Sequence, residues 1–286
     1  MASSITFLGT AGDAVVVSRQ LRSSGGFVII SGDTQLHIDP GPGALVKCFE
    51  YGINPRATTA LLVSHAHINH SNDANAIIAA MTYGGFDKRG VLIANKTVIS
   101  GAEEYLPAIT SFHKNCLERL IIMEPNQKVA INDIEIMALR AKHSEPNTIG
   151  FKFFTPEYTL SYTSDTKYFA EISDQLKNSN ILILNVVSTK KEDAKDNLCT
   201  EDAVKIIKEV KPKLAIIQHF GVNILKEDPL FITREMQKET GIHLISAKDG
   251  MSINPISYSA DRGQKTLRAY PVKPEQEVEV KEIGKL

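Results

Sequence analysis

The sequence has few cysteines and no pattern that would pair them. Its 286 residues include Cys48, Cys116 and Cys199, which are widely separated and form no CxxC pair. An odd number of scattered cysteines argues against a disulfide framework. We therefore expect a reduced, cytoplasmic protein in which these thiols are small, partly buried hydrophobic side chains.

Long apolar runs and an excess of one charge are also missing. No apolar run approaches the roughly 20 residues that a membrane-spanning helix needs, and residues 1–9 lack the charged start and apolar core of a signal peptide. The 32 basic and 33 acidic residues nearly balance, so the chain as a whole should not be attracted to nucleic acid or to anionic membranes. We expect a soluble globular protein with no membrane partner.

Short apolar runs of strand character recur along the chain, with helical patterns between some of them. The predicted strands are 5–8, 27–30, 35–38, 60–63, 91–94, 134–139, 149–154, 159–163, 181–187, 214–217 and 243–246. The clearest predicted helix covers 201–210, with Thr200 as its cap and Pro212 beyond its end. This order predicts an α/β protein with two sheets. We expect one domain over 1–262, followed by a charged tail or a late edge strand over 263–286.

The most informative motif places His65, His67 and His70 within six residues, directly after the predicted strand 60–63. Neutral imidazoles are the commonest protein ligands for zinc-like ions. A strand end that delivers three of them onto a loop predicts a metal centre. Between the second and third histidines, where a carboxylate is expected, the chain has Asn69.

Further polar residues share one situation: each lies at the carboxyl end of a predicted strand, at the mouth of a loop. They are Asp39, His143, Asp165 and His219. Such strand ends are where α/β folds gather their sites, so we expect these side chains to join the histidine motif. The remaining histidines, His37, His113 and His243, match no motif, and we expect them in the core or on the surface.

Taken in order, these residues resemble the metallo-β-lactamase superfamily. The set is Asp39, His65-x-His67-x-Asn69-His70, His143, Asp165 and His219, and it covers nearly the whole chain. The segments 7–10, 23–26 and 52–55 are similar to the ribonuclease Z and phosphodiesterase branch. The resemblance implies an αββα sandwich of four layers with a two-metal site on one edge.

The resemblance also implies a role for each residue. His65, His67 and His143 would hold the first metal, His70 and His219 the second, and Asp165 would bridge them. Asp39 would hydrogen-bond the histidine loop without touching a metal. The implied ion is Zn²⁺, with Mn²⁺ as an alternative, and the occupancy of the second position is left open.

Position 69 departs from the family pattern, which has an aspartate that ligates the second metal and orients or deprotonates the attacking water. Asparagine offers a carbonyl oxygen but carries no charge and cannot act as a base. If a helix begins near His70, Asp73 lies on the same face as Asn69 and is a candidate replacement. The alternative is that Asp73 caps the following helix. Asn69, Asp73 and Asp165 are thus the candidate catalytic residues.

The implied function is metal-dependent hydrolysis of a phosphodiester by a metal-activated water, with a small molecule or an oligonucleotide as substrate. Only 21 residues separate His143 from Asp165, which leaves no room for the tRNA-gripping arm of ribonuclease Z and favours a smaller diester. One alternative is a hydrolase of lactones, thioesters or β-lactams. Another is a degenerate protein that binds metal or a partner without turnover. The sequence also leaves open whether the protein forms a homo-oligomer.

Overall fold

A computed structural model describes residues 3–259, which form two mixed sheets packed face to face with helices on both outer sides. The predicted tail or edge strand over 263–286 lies outside the described residues. Within 3–259, no helix has both the length and the apolar composition needed to cross a membrane.

In the first sheet, the carboxyl ends of the parallel strands lie together at one edge of the sandwich. Its strands are β1 (Ser4–Phe7), β2 (Phe27–Ser31), β3 (Thr34–Ile38), β4 (Ala60–Val63), β5 (Val91–Ala94), β6 (Arg119–Ile122) and β15 (Ser252–Ile253). They lie side by side in the order β15-β1-β2-β3-β4-β5-β6. The strands β3 to β6 run parallel, so the loops after them emerge together.

In the second sheet, the carboxyl ends of the parallel strands also lie together. Its strands are β7 (Lys128–Ile131), β8 (Ile134–Arg140), β9 (Ile149–Phe154), β10 (Thr159–Tyr162), β11 (Ile181–Ser188), β12 (Leu198–Cys199), β13 (Leu214–Gln218) and β14 (Leu244–Ser246). Their order is β14-β13-β11-β10-β9-β8-β7, with β12 paired to β11. The strands β10, β11, β13 and β14 are parallel. Because β9 is antiparallel to both β8 and β10, β8 ends at the same edge.

Helices cover the outer face of each sheet. They are α1 (Ala14–Ser18), α2 (Ala44–Glu50), α3 (Ile68–Ser71), α4 (Ala74–Thr82), α5 (Lys96–Ser100), α6 (Ser111–Asn115), α7 (Ile172–Leu176), α8 (Lys191–Ala194), α9 (Thr200–Val210), α10 (Val222–Glu227) and α11 (Pro229–Thr240). Short 3₁₀ turns span Pro55–Ala57 and Pro255–Tyr258. The predicted cap of α9 is wrong by one residue: Cys199 is the N-cap, and the Asp202 carboxylate accepts a hydrogen bond from its backbone N–H.

The strands read as continuous apolar runs because both of their faces are buried. Successive side chains of a strand point to opposite faces. In β11, Ile181 and Ile183 pack between the two sheets, whereas Leu182 and Leu184 pack in the core that includes helix α9. The same division in the first sheet supplies a third core beneath α2 and α4. The predicted αββα sandwich is confirmed.

His37, in β3, gives the fold a dependence on pH. The side chain is fully buried and its Nε2 lies 3.1 Å from the carbonyl oxygen of Gly25. Burial lowers the pKa of His37 from 6.5 to about 4, so between these values the unfolded chain binds more protons and stability falls as the pH falls. We expect His37 to remove about 2 kcal/mol of unfolding free energy between pH 7 and pH 5.

Urea unfolding of the metal-free protein at both pH values, beside His37→Gln, measures this contribution. Glutamine keeps a donor for Gly25 but does not titrate. The variant should lose less stability on acidification than the wild type by about 2 kcal/mol. An equal loss in both proteins would contradict the assignment.

Candidate metal centre

The histidine motif is presented by a strand that ends and a helix that begins within a few residues. The strand β4 stops at Val63, and α3 starts at Ile68 with His67 at its N-cap. His70 follows three residues later, so it shares a face of this turn with His67. This local geometry directs His65, His67 and His70 to the edge where both sheets open.

Three of the predicted ligands form one group. The Nε2 of His65 lies 3.0 Å from the Nδ1 of His67, and the Nε2 of His143 lies 3.1 Å from that same Nδ1. The ligand atoms of these residues all fall within 4.8 Å of one another. The carboxylate of Asp165 is beside them, with its Oδ2 3.9 Å from His65 and 3.7 Å from His143. Three imidazoles and a carboxylate are a donor set that suits Zn²⁺.

The second group lies on the other side of Asp165. The Nε2 of His70 is 3.0 Å from the Nε2 of His219 and 3.3 Å from Asp165 Oδ2. The other carboxylate oxygen, Oδ1, lies 3.3 Å from His219. Asp165 therefore faces both groups, which is the arrangement that the family resemblance implies for a bridging ligand.

Burial and charge set the protonation of these groups in opposite directions. Burial lowers the pKa of His219 to about 4 and that of His65 well below its ordinary value. His70 differs: burial again disfavours the proton, but the carboxylates of Asp165 and Asp39 outweigh it and raise its pKa to about 10. For Asp165 burial is outweighed by His219 and His70, so the pKa of its carboxyl falls well below its usual range. His65 and His219 are thus neutral beside an ionised Asp165, the forms that bind a cation, whereas a cation at His70 would displace the proton of that ring.

Asp39 lies behind the histidines and touches several of their neighbours. Its Oδ2 is 3.0 Å from His70 Nδ1 and accepts hydrogen bonds from the hydroxyls of Ser64 and Tyr162 at 2.8 and 2.7 Å. Its Oδ1 accepts from the Ser64 backbone N–H at 2.7 Å. By fixing Nδ1 of His70, Asp39 turns the Nε2 of that ring towards Asp165.

Asp39→Ala should weaken metal binding at the His70 group by about 10- to 100-fold, the usual cost of losing a partner that orients a metal ligand. Tyr162→Phe is the graded comparison, because it removes one of the bonds to the same carboxylate and leaves the others. Competition with a chelator measures both affinities. An Asp39→Ala protein that binds metal as tightly as Tyr162→Phe would contradict the role of Asp39.

Several supporting residues were not predicted. Asn185 donates to Asp165 Oδ1 at 2.7 Å, the backbone carbonyl of Asp196 lies 2.9 Å from His143 Nδ1, and the Tyr105 hydroxyl lies 3.4 Å from His67 Nε2. Asn185 had a signal in the sequence, since it interrupts the apolar run of β11. The other two lie in loops and had none.

The two candidate catalytic residues of the histidine loop have different hydrogen-bond partners. The Asn69 side-chain nitrogen is 3.0 Å from His219 Nε2 and donates to the Gly12 carbonyl at 3.2 Å. Asp73 is the N-cap residue of α4, as the alternative predicted, but its side chain makes no capping hydrogen bond there. Instead its Oδ2 accepts from the Leu45 backbone N–H of α2 at 3.3 Å.

Asp73→Ala should therefore lower the free energy of unfolding by about 1 kcal/mol, as for the loss of a helix-terminal hydrogen bond, and leave the metal content unchanged. Urea unfolding and metal analysis of the purified variant measure the two quantities. Loss of a metal ion from the variant would instead support Asp73 as the replacement for the carboxylate missing at position 69.

Comparison with known proteins places this geometry in a family. The model of the beta-lactamase superfamily domain matches residues 34–220, more than half of the chain. The chain belongs to the β-lactamase superfamily. This β-lactamase-superfamily protein is also 35% identical over 251 residues to MJ1374 of Methanocaldococcus jannaschii, across 87% of its own length and 94% of that relative. The resemblance seen in the motifs is thereby confirmed.

Other relatives agree with this fold. YhfI of Bacillus subtilis, a metallo-β-lactamase fold protein, is 24% identical over 214 residues, which cover 72% of this chain and 85% of YhfI. Its crystal structure matches with a TM-score of 0.73 at 19% identity over 88% of this chain and 99% of that one. A diphosphatase of the PhnP family matches with a TM-score of 0.66 at 16% identity over 88% and 97%.

Proposed function

We propose that this protein is a metal-dependent hydrolase that acts on a phosphodiester. The observation that carries the proposal is the convergence of His65, His67 and His143 on one side of Asp165 and of His70 and His219 on the other. These residues form a cation site of the kind used in metal-assisted hydrolysis. The likeness to a PhnP-family diphosphatase supports chemistry at phosphorus.

Zn²⁺ fits the first group best, because imidazole nitrogen and carboxylate oxygen are its usual ligands, and Mn²⁺ is the alternative ion. When bound, the ion polarises a phosphoryl oxygen and makes water nucleophilic near neutral pH. The ionised Asp165 balances its charge. Asn69 cannot accept the proton of the attacking water, so its side chain acts by hydrogen bonding. The deprotonation would be supplied by the ion that these residues would hold, which lowers the pKa of the water.

The surroundings of the site favour a small anionic substrate. Between His143 and Asp165 the chain forms β9 and β10, both within the second sheet, so that interval holds no protruding arm for a large RNA. Lys142, next to His143, is exposed, whereas the ammonium group of Lys167, two residues after Asp165, pairs with Asp196 Oδ1 at 3.6 Å. An exposed cation next to a predicted ligand suits an anionic substrate such as a phosphate diester.

A substrate panel tests the proposal. Metal-loaded protein is offered a bis-aryl phosphodiester, an aryl phosphate monoester, a lactone and a chromogenic cephalosporin, each with Zn²⁺ and with Mn²⁺. We expect turnover of the diester above that of the other substrates. Preference for the lactone or the cephalosporin would replace the proposed substrate class, and metal binding without any turnover would establish a binding protein.

A further inference from the structure

A small cavity borders the histidine cluster at the edge of the sandwich. Its volume is about 20 Å³, and its lining includes Ser24, Asn69, Tyr162, Gln218 and His219. One water molecule needs about 10–15 Å³ of such space. The cavity therefore has room for a single water and for little more.

Three of the lining residues each hold a polar atom without a hydrogen-bond partner. These atoms are Ser24 Oγ, Gln218 Oε1 and His219 Nδ1, all buried and unpaired within residues 3–259. The side chains themselves are at most 6% exposed. A buried polar atom left unpaired costs about 1–3 kcal/mol, so three around one cavity indicate that something in the cavity binds them.

The side-chain oxygen of Gln218, Oε1, needs a hydrogen-bond donor. The carboxylate of Asp165 can only accept, so Asn185 turns its Nδ2 to Asp165 at 2.7 Å. The Asn185 oxygen then accepts from Gln218 Nε2 at 3.0 Å. This chain fixes which end of the Gln218 amide is nitrogen and leaves Oε1 as an acceptor facing no donor.

The ring of His219, in contrast, needs a hydrogen-bond acceptor at Nδ1. The Gly12 carbonyl can only accept, which fixes the Asn69 nitrogen as the atom that also lies 3.0 Å from His219 Nε2. Nε2 is therefore the unprotonated nitrogen of the ring, as a metal ligand requires. The hydrogen of His219 is on Nδ1, which needs an acceptor.

We propose that the cavity binds one ordered water, which donates to Gln218 Oε1 and accepts from His219 Nδ1. A cation could not accept from Nδ1, and an anion could not donate to Oε1, whereas water does both. The Ser24 hydroxyl can serve either as donor or as acceptor. Through this water, Gln218 becomes a positioning residue that connects Asp165 and Asn185 to the ring of His219.

The water-mediated link between Gln218 and His219 affects metal binding. A ligating histidine is held in orientation by the partner of its other ring nitrogen, and loss of that partner lowers metal affinity by about 10- to 100-fold. Gln218→Leu should therefore weaken binding of the ion at His219 by that factor, and by more than it weakens binding at the first group, which Gln218 reaches only through Asn185 and Asp165. The water site itself belongs to the fold, so it exists whether or not the protein hydrolyses a phosphodiester.

A crystal structure at about 1.5 Å resolution and a Zn²⁺ titration against a chelator test the inference. The titration is done in the wild-type and in the Asn69→Asp background, so that the His219 position is filled in at least one of them. We expect a water within hydrogen-bond distance of Gln218 Oε1 and His219 Nδ1. We also expect a selective loss of affinity for the second ion in Gln218→Leu.

Gln35→Leu is the matched control. Gln35 is also a buried glutamine, 6% exposed, and its Nε2 donates to the Asn54 carbonyl and to the Thr58 hydroxyl, both at 2.9 Å. It should lose stability but bind both ions as the wild type does. A cavity without density for water would overturn the inference, and so would equal zinc affinities in Gln218→Leu and Gln35→Leu.

Discussion

Replacing His65 with alanine should remove the metal from the first group and lower kcat/KM for a phosphodiester by about 10³-fold, or ~4 kcal/mol of transition-state stabilisation. His65 is fully buried. It belongs to both sets of residues whose ligand atoms lie close enough to share an ion, one with His67 and His143 and the other with His70 and Asp165. No other described residue belongs to both of these sets, so no neighbour can substitute for the nitrogen of His65.

Metal content and steady-state kinetics of the purified variant measure the effect. His243→Ala is the control, since His243 is an exposed histidine whose ring lies 5.9 Å from that of Tyr258. It should keep the metal content and the rate of the wild type. Hydrolysis by His65→Ala at the wild-type rate would show that the reaction does not use this metal centre.

The outline of the site follows from the sequence because strand ends are easy to recognise. The run of β4 ends at Val63 and that of β13 at Gln218, and polar residues directly beyond such runs must emerge at a sheet edge. Because these strands are parallel to their neighbours, the loops that follow them in the two sheets lie close together. The strand ends alone therefore predict that His65 and His219 lie in one region.

Other features depend on long-range contacts that no local pattern encodes. Asp73 stands before an apolar helix, as a cap would, yet its carboxylate bonds to α2, which lies 28 residues earlier in the chain. The strands β6 and β7 contain short apolar runs, 120–122 and 129–131, but they are edge strands whose side chains are largely exposed. Their pairing is decided by the sheet beside them rather than by their own residues.

Asn69→Asp should have effects of opposite sign in the metal-free and the metal-loaded protein. Without metal, the new carboxylate faces the Gly12 carbonyl in place of the present 3.2 Å hydrogen bond and lies in the same cluster as Asp165. We expect a loss of about 1–3 kcal/mol, the cost of a buried polar group without a partner. With Zn²⁺, the same charge becomes a ligand beside His219, and we expect the metal content to rise from one ion to two per chain.

Metal analysis, with Tm measured in chelator and in excess Zn²⁺, separates the two effects, since ligand binding to the folded state raises Tm by mass action. Asn72→Asp is the matched control: it adds the same charge at an exposed asparagine three residues away. That variant should gain neither the second ion nor the large zinc-dependent rise in Tm. If Asn69→Asp binds one ion and responds to zinc as Asn72→Asp does, asparagine at position 69 is not what weakens the second site. A second ion in Asn69→Asp alone would show that the missing charge at position 69 sets the metal content of this chain.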